Sequence, residues 1–148
     1  MPRSYASIVI DADPDDVWRC LRNFDGTPDY LDLVATSEIS DGRQADQIGC
    51  QRVMVLTDES VVKETLIGID DERRQLRYHL TEGPFRFSNY YATVQVSPVT
   101  ASGATFVAWS SHYDCEQADA DANDELLARV IYSPGLARVK DMFERLPH

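Results

Sequence analysis

The 148 residues carry 14 Lys and Arg against 25 Asp and Glu, a formal net charge of −11, with 43% hydrophobic and 26% charged side chains. The length suits one domain, 1–148, with a core that needs neither metal nor disulfide. The composition excludes global disorder, and the acid excess disfavours nucleic acid or an anionic membrane as the main partner, because phosphate binding needs concentrated positive surface.

In chain order, Ser4 to Ile10 alternates as a strand, with Ile8 and Ile10 on one face. A helix start follows. Asp13 can cap, Pro14 suits the first helical position, and Asp15 and Asp16 meet the positive end of the dipole. Val17, Trp18, Leu21 and Phe24 recur at helical spacing, Trp18 packing the helix against the sheet edge, and Asp25-Gly26-Thr27-Pro28 ends the helix. A short second helix or turn is expected over Asp29 to Leu33. Six strand-like segments come next, near 34–41, 48–56, 60–69, 75–82, 89–98 and 104–114. Turn chemistry separates them at Asp41-Gly42, Asp70-Asp71, Gly83-Pro84, Ser97-Pro98 and Ser102-Gly103. Leu76, Tyr78 and Leu80 share one face of their segment, as do Tyr90, Ala92, Val94 and Val96 of theirs. Such alternation predicts an antiparallel sheet with one dry face.

A helix of about 25 residues is expected from about Asp121 to Leu146, with apolar positions that include Leu127, Val130, Ile131, Leu136, Val139, Met142 and Phe143. Pro134 predicts a kink, because it lacks a donor and crowds the carbonyl of Val130. Gly135 falls on the buried stripe without a side chain, which leaves two readings: an empty space, or close helix–sheet packing.

No apolar run approaches the ~18–20 residues of a membrane span, and Met1-Pro2-Arg3-Ser4-Tyr5 has no secretory apolar region. Cys20, Cys50 and Cys115 are odd in number and widely spaced, so they read as reduced thiols and the expected location is cytoplasmic. His79, His112 and His148 are isolated, and no metal-ligand spacing, phosphate loop or nucleophile elbow is present, so neither metal nor cofactor is expected.

The layout of strand, two short helices, six strands and long helix resembles the START/Bet v1-like helix-grip superfamily, which includes polyketide cyclase/dehydrase-like and lipid-transport proteins. The markers are Ile10-Asp11-Ala12-Asp13-Pro14 with Val17-Trp18, then Phe24, Tyr30, Gly49, Arg52, Glu64, Tyr78, Gly83-Pro84, Tyr90, Trp109 and Gly135-Leu136. The resemblance implies an α+β fold: a curved seven-stranded antiparallel sheet around a long C-terminal helix, with two short helices after strand 1. One stretch, Glu64 through Arg73-Arg74 and Tyr78 to Arg86-Phe87-Ser88-Asn89-Tyr90, is similar to the plant abscisic-acid receptor branch. The loop Leu56-Thr57-Asp58-Glu59-Ser60 lacks that branch's small residues, and no lysine matches its carboxylate-binding lysine, so neither the hormone nor its partner is inferred.

By the resemblance, Glu64, Tyr78, Leu80, Tyr90 and Ala92 point into a ligand cavity, Val107, Trp109 and Ser111 face inward, and Arg86 and Phe87 sit at the mouth. Val53, Val62, Ile131 and Gly135 complete the expected ligand-binding set. Tyr78 and Tyr90 each offer an apolar ring with one hydroxyl. Glu64 shares a face with Val62 and Leu66; if that face is inward, a buried carboxylate there could anchor a ligand hydroxyl or act as a base, and if the face of Lys63, Thr65 and Ile67 is inward, Glu64 is solvated. Arg52 could polarise a carbonyl. Its face is ambiguous, because Val53 and Val55 compete with Met54 for the inside, and a surface or edge-strand arginine is the favoured reading. Three functions compete: a binder of a small hydrophobic ligand (lipid, isoprenoid or polyketide-like), a polyketide aromatase/cyclase or dehydratase with Glu64 and Arg52 as catalytic candidates, and a protein-interaction module with a filled cavity. The last leaves a protein partner open. A buried Arg52 close to Glu64 would favour the enzyme.

Overall fold

The computed structural model describes residues 2–145. Leu146 and His148 lie outside the described residues. The chain opens with β1 (Arg3–Ile10) and the helix α1 (Pro14–Leu21). Asp13 caps α1 by accepting a hydrogen bond from the Asp15 backbone N–H at 2.8 Å. Val17, Trp18 and Leu21 are buried, and Phe24 is buried just beyond the helix end.

Six strands follow: β2 (Val34–Ile39), β3 (Gln51–Leu56), β4 (Val61–Asp70), β5 (Gln75–Glu82), β6 (Ser88–Val99) and β7 (Ala104–Asp114). With β1 they form one seven-stranded antiparallel sheet in the order β1-β7-β6-β5-β4-β3-β2. On the inner face Tyr78 on β5 and Tyr90, Ala92, Val94 and Val96 on β6 are buried as their alternation expects, and Val62, Glu64 and Leu66 on β4 are buried as the resemblance implies; Ser97-Pro98, expected as a turn, lies inside β6 near its end. The expected second helix over 29–33 is instead a three-residue 3₁₀ turn at Thr27–Asp29, where Pro28 supplies the fixed φ of an early helical position.

The C-terminal helix crosses the inner face in three segments, α2 (Ala120–Asp124), a π-helical stretch (Glu125–Tyr132) and α3 (Ser133–Glu144). The expected disturbance at Pro134 is therefore met upstream, by eight residues of i→i+5 turns, a form often found at functional sites. The wider turn also changes which residues face the sheet. Leu127, Tyr132, Leu136 and Val139 are buried, whereas Val130 and Met142, expected on the apolar stripe, are exposed. Ser4 Oγ donates to Asp124 Oδ1 at 2.9 Å, and Lys140 Nζ donates to the Val9 carbonyl at 2.9 Å, so β1 holds the helix near both ends. Among the described residues, no helix is long and apolar enough to cross a membrane.

Candidate functional site

Arg52 and Glu64 are direct Cα partners in the β3–β4 ladder. Both side chains point inward and are 4% and 6% exposed. Arg52 donates to Glu64 Oε1 from Nε at 2.9 Å and from Nη2 at 2.6 Å, and its Nη1 donates to the Phe24 carbonyl at 2.9 Å. The guanidinium carbon lies 3.9 Å from the centroid of the Phe24 ring and 4.7 Å from that of Tyr78, so aromatic faces replace part of its lost hydration. Burial pushes the Glu64 carboxyl above its ordinary range, and the guanidinium opposes that shift. The pair stays charged at neutral pH, because arginine does not deprotonate in proteins and a protonated Glu64 would leave a buried cation uncompensated. The surface position favoured for Arg52 is thus corrected. Arg52 and Met54 share the inner face, and Val53, on the opposite side of the same strand, points away from it.

The ion pair borders a cavity of about 50 Å³ between the sheet and the helix. Val62, Leu80 and Trp109 line it from the sheet, and Leu127, Ile131 and Tyr132 line it from the π-helical stretch. Tyr78 and Tyr90 line it from the sheet as well and contribute its sheet hydroxyls. Trp109 Nε1 donates to Tyr78 Oη at 2.9 Å, the Tyr90 and Tyr132 hydroxyls share a hydrogen bond, and the Trp109 and Tyr132 rings stack at 4.4 Å. Burial raises the phenol pKa of Tyr78, Tyr90 and Tyr132, so all three are neutral donors at physiological pH.

Two half-buried rings of the β5–β6 loop also line the cavity. Phe85 and Phe87 stack at 4.9 Å, and Phe87 continues onto Tyr90 and Tyr113. Gly83 makes room for this stack: a Cβ there would sit 2.8 Å from the Phe85 ring. Arg86 is not a lining residue. It projects outward, 3.8 Å from Asp119, while Asn123 Nδ2 donates to its carbonyl at 3.2 Å. Ala92 is buried in the sheet away from the lining. Gly135 resolves in favour of close packing. A Cβ at that position would stand 2.7 Å from Leu31 Cδ2 and 3.4 Å from Trp109 Cζ3, so the helix approaches the sheet there and leaves no space.

Leu31, Met54, Phe85, Leu127 and Tyr132 line the cavity without having been singled out as site residues. Tyr132 escapes a 3.6-residue period because only the wider turn places it beside Ile131 on the sheet-facing side. Met54 follows from Arg52, since the two alternate on one strand. His79 lies elsewhere, on the outer face, its ring stacked on Tyr91.

A curved antiparallel sheet gripping one long helix, with a mostly apolar cavity and a few buried polar groups between them, defines the helix-grip class of α+β proteins. Within it, this chain belongs to the polyketide cyclase/dehydrase and lipid transport family, whose model matches residues 1–144. No curated protein matches the chain. Among solved structures it is similar to the protein XoxI from Bacillus cereus, at 27% identity and a TM-score of 0.88, over 100% of this chain and 99% of that one. It is also similar to a protein from Nitrosospira multiformis, at 26% identity and a TM-score of 0.81, over 96% of each chain. A protein from Thermobifida fusca, 24% identical with a TM-score of 0.89 over 100% of this chain and 97% of that one, shares the fold. The local likeness to the abscisic-acid receptor branch is not shown by these comparisons.

Proposed function

We propose that the protein binds a small hydrophobic, ring-bearing ligand in the cavity between sheet and C-terminal helix. The observation that carries this reading is the buried Arg52–Glu64 pair bordering an otherwise apolar and aromatic space. A few placed polar groups in a dry concave site are the usual design of a small-molecule pocket. Family membership supports the same reading. The size constrains it. About 50 Å³ is well below the roughly 300–1,000 Å³ of occupied ligand pockets, so a ring enters only when Phe85 and Phe87 swing outward. Native mass spectrometry of protein purified from its host, together with Nile red binding, tests the proposal. The expected result is a bound mass or a saturable fluorescence rise that Leu80→Trp, which fills the cavity, abolishes. Wild-type protein that carries no ligand and leaves the dye dark would refute it.

One observation favours a second reading, an enzyme of the aromatase/cyclase or dehydratase type. Glu64 carries a pKa raised by burial and sits against a fixed positive charge, which are the features of a general base next to an electrostatic stabiliser. The measurement that separates the two is turnover of a poly-β-keto thioester. A product whose formation Glu64→Gln abolishes would establish catalysis, and ligand binding without turnover would leave the protein a carrier.

A further inference from the structure

The hydrogen bonds around the cavity leave an acceptor and several protons unused, and two of these atoms, Glu64 Oε2 and Tyr78 Oη, belong to residues that line it together. Both Arg52 contacts to Glu64 go to Oε1, and among the described residues no donor reaches Oε2. Oε2 is not sealed off: among the described residues, the buried side-chain polar atoms without a partner are Ser111 Oγ and His112 Nδ1. It therefore opens on the cavity that Glu64 lines. Tyr78 Oη is used as an acceptor by Trp109 Nε1, and its own proton has no acceptor among the described hydrogen bonds. Tyr78 lines the same cavity, and its ring shares the Arg52 guanidinium with Glu64. The site thus presents a free acceptor, Glu64 Oε2, beside spare hydroxyl donors: Tyr78, and whichever of Tyr90 and Tyr132 accepts in their shared hydrogen bond. Its one cation is already matched: Arg52 gives Nε and Nη2 to Glu64 and one Nη1 proton to the Phe24 carbonyl, so three of its five N–H groups are used and its charge is balanced by the Glu64 carboxylate.

Resting on the binding reading above, we infer that the ligand is a neutral hydroxyl compound, a phenol or ring alcohol, whose O–H donates to Glu64 Oε2 while its oxygen accepts from Tyr78 Oη. A hydroxyl both donates and accepts through a single oxygen. An ether can accept and cannot donate, so Glu64 Oε2 would be desolvated without a partner. A carboxylate would bring a second negative charge to Oε2 with the one nearby cation already paired. Free fatty acids and other organic acids are therefore excluded as the preferred class, although the cavity is apolar enough to take their chains.

Two sets of probes test this on the intact protein: phenol, anisole and benzoate, and the larger 2-naphthol, 2-methoxynaphthalene and 2-naphthoate. The two hydroxyl probes are neutral at pH 7, as phenols with a pKa near about 10. Affinities are read from chemical-shift titration of the Trp109 indole N–H, which lies inside the site. The expected result is that in at least one set the hydroxyl compound binds about tenfold or more tighter than its ether and its carboxylate, the ratio that one hydrogen bond to a charged group supports. Tyr78→Phe, which keeps the ring, reduces that advantage. If ether and hydroxyl bind equally, or a carboxylate binds best, the hydroxyl inference is overturned and the binding reading stands. If no probe in either set shifts the resonance, the binding reading falls and this inference falls with it.

Discussion

Arg52 Nη2 lies 2.6 Å from Glu64 Oε1, and the two residues face each other across adjacent strands with almost no access to water. Removing one partner strands the other charge in the core. Arg52→Met or Glu64→Leu alone is expected to lower the unfolding free energy by about 3–5 kcal/mol, whereas the double variant, apolar throughout, falls within about 1–2 kcal/mol of the parent. Urea denaturation of the four proteins gives the coupling energy. Additive single effects would mean that the pair is not coupled.

Gly135 sits where α3 meets Leu31 and Trp109. Gly135→Ala gains about 1 kcal/mol of helix propensity but overpacks a contact already at its limit, which costs about 1–3 kcal/mol. The expected balance is a net loss of about 1 kcal/mol. Leu31→Ala in the same chain removes the atom nearest the new methyl, so the double variant should be less unstable than the sum of the two singles. Thermal denaturation of all four forms measures this.

The phenol of Tyr30, buried near the Arg52–Glu64 pair, is pushed up to about 12, chiefly by burial, which the positive charge of Arg52 partly offsets. A raised folded-state pKa means that the unfolded chain loses its proton first. The stabilisation is complete below pH ~10 and is lost as pH rises towards about 12, a fall of about 2–3 kcal/mol from this residue. Tyr78, Tyr90 and Tyr132 are raised as well and steepen the alkaline limb. Urea midpoints between pH 8 and 12 should drop along this limb, and Tyr30→Phe should make it shallower. A midpoint that does not change over that range would contradict the assignment.

Phe87 bridges the stacked Phe85 ring and the cavity tyrosine Tyr90. Phe87→Ala opens the mouth without touching the ion pair. Nile red association followed by stopped flow should speed up several-fold. The stability cost should stay below the ~3–5 kcal/mol of a fully buried phenylalanine, since Phe87 is only half-buried. An unchanged rate would place the access route elsewhere, with the Leu56–Ser60 turn as the next segment to vary.

Much of the fold was legible because sheet alternation is local. Leu76, Tyr78 and Leu80 occupy every second position, and that period assigns a face without any knowledge of the partner strand. The ion pair was legible in principle, though not from β3 alone, where valines on one face compete with Met54 on the other. The hairpin carries the missing information. Leu56 N donates to the Ser60 carbonyl, and counting outward from that turn sets Arg52 opposite Glu64. An inward Glu64 then draws in the opposite charge.

The sequence by itself determined the order of elements, the dry face of the sheet and the helix cap at Asp13, because each depends on periodicity or on a few neighbouring residues. Only the tertiary structure decided the fate of the space beneath the helix. Gly135 permits either a gap or close contact, and the contact with Leu31 settles it. The π-helical turn that brings Tyr132 onto Trp109 depends on packing against the sheet, which no helical period contains. The net charge of −11 likewise says nothing of its one buried carboxylate: Glu64 is set apart from the other acids by the arginine across the ladder and by the cavity onto which its free oxygen opens.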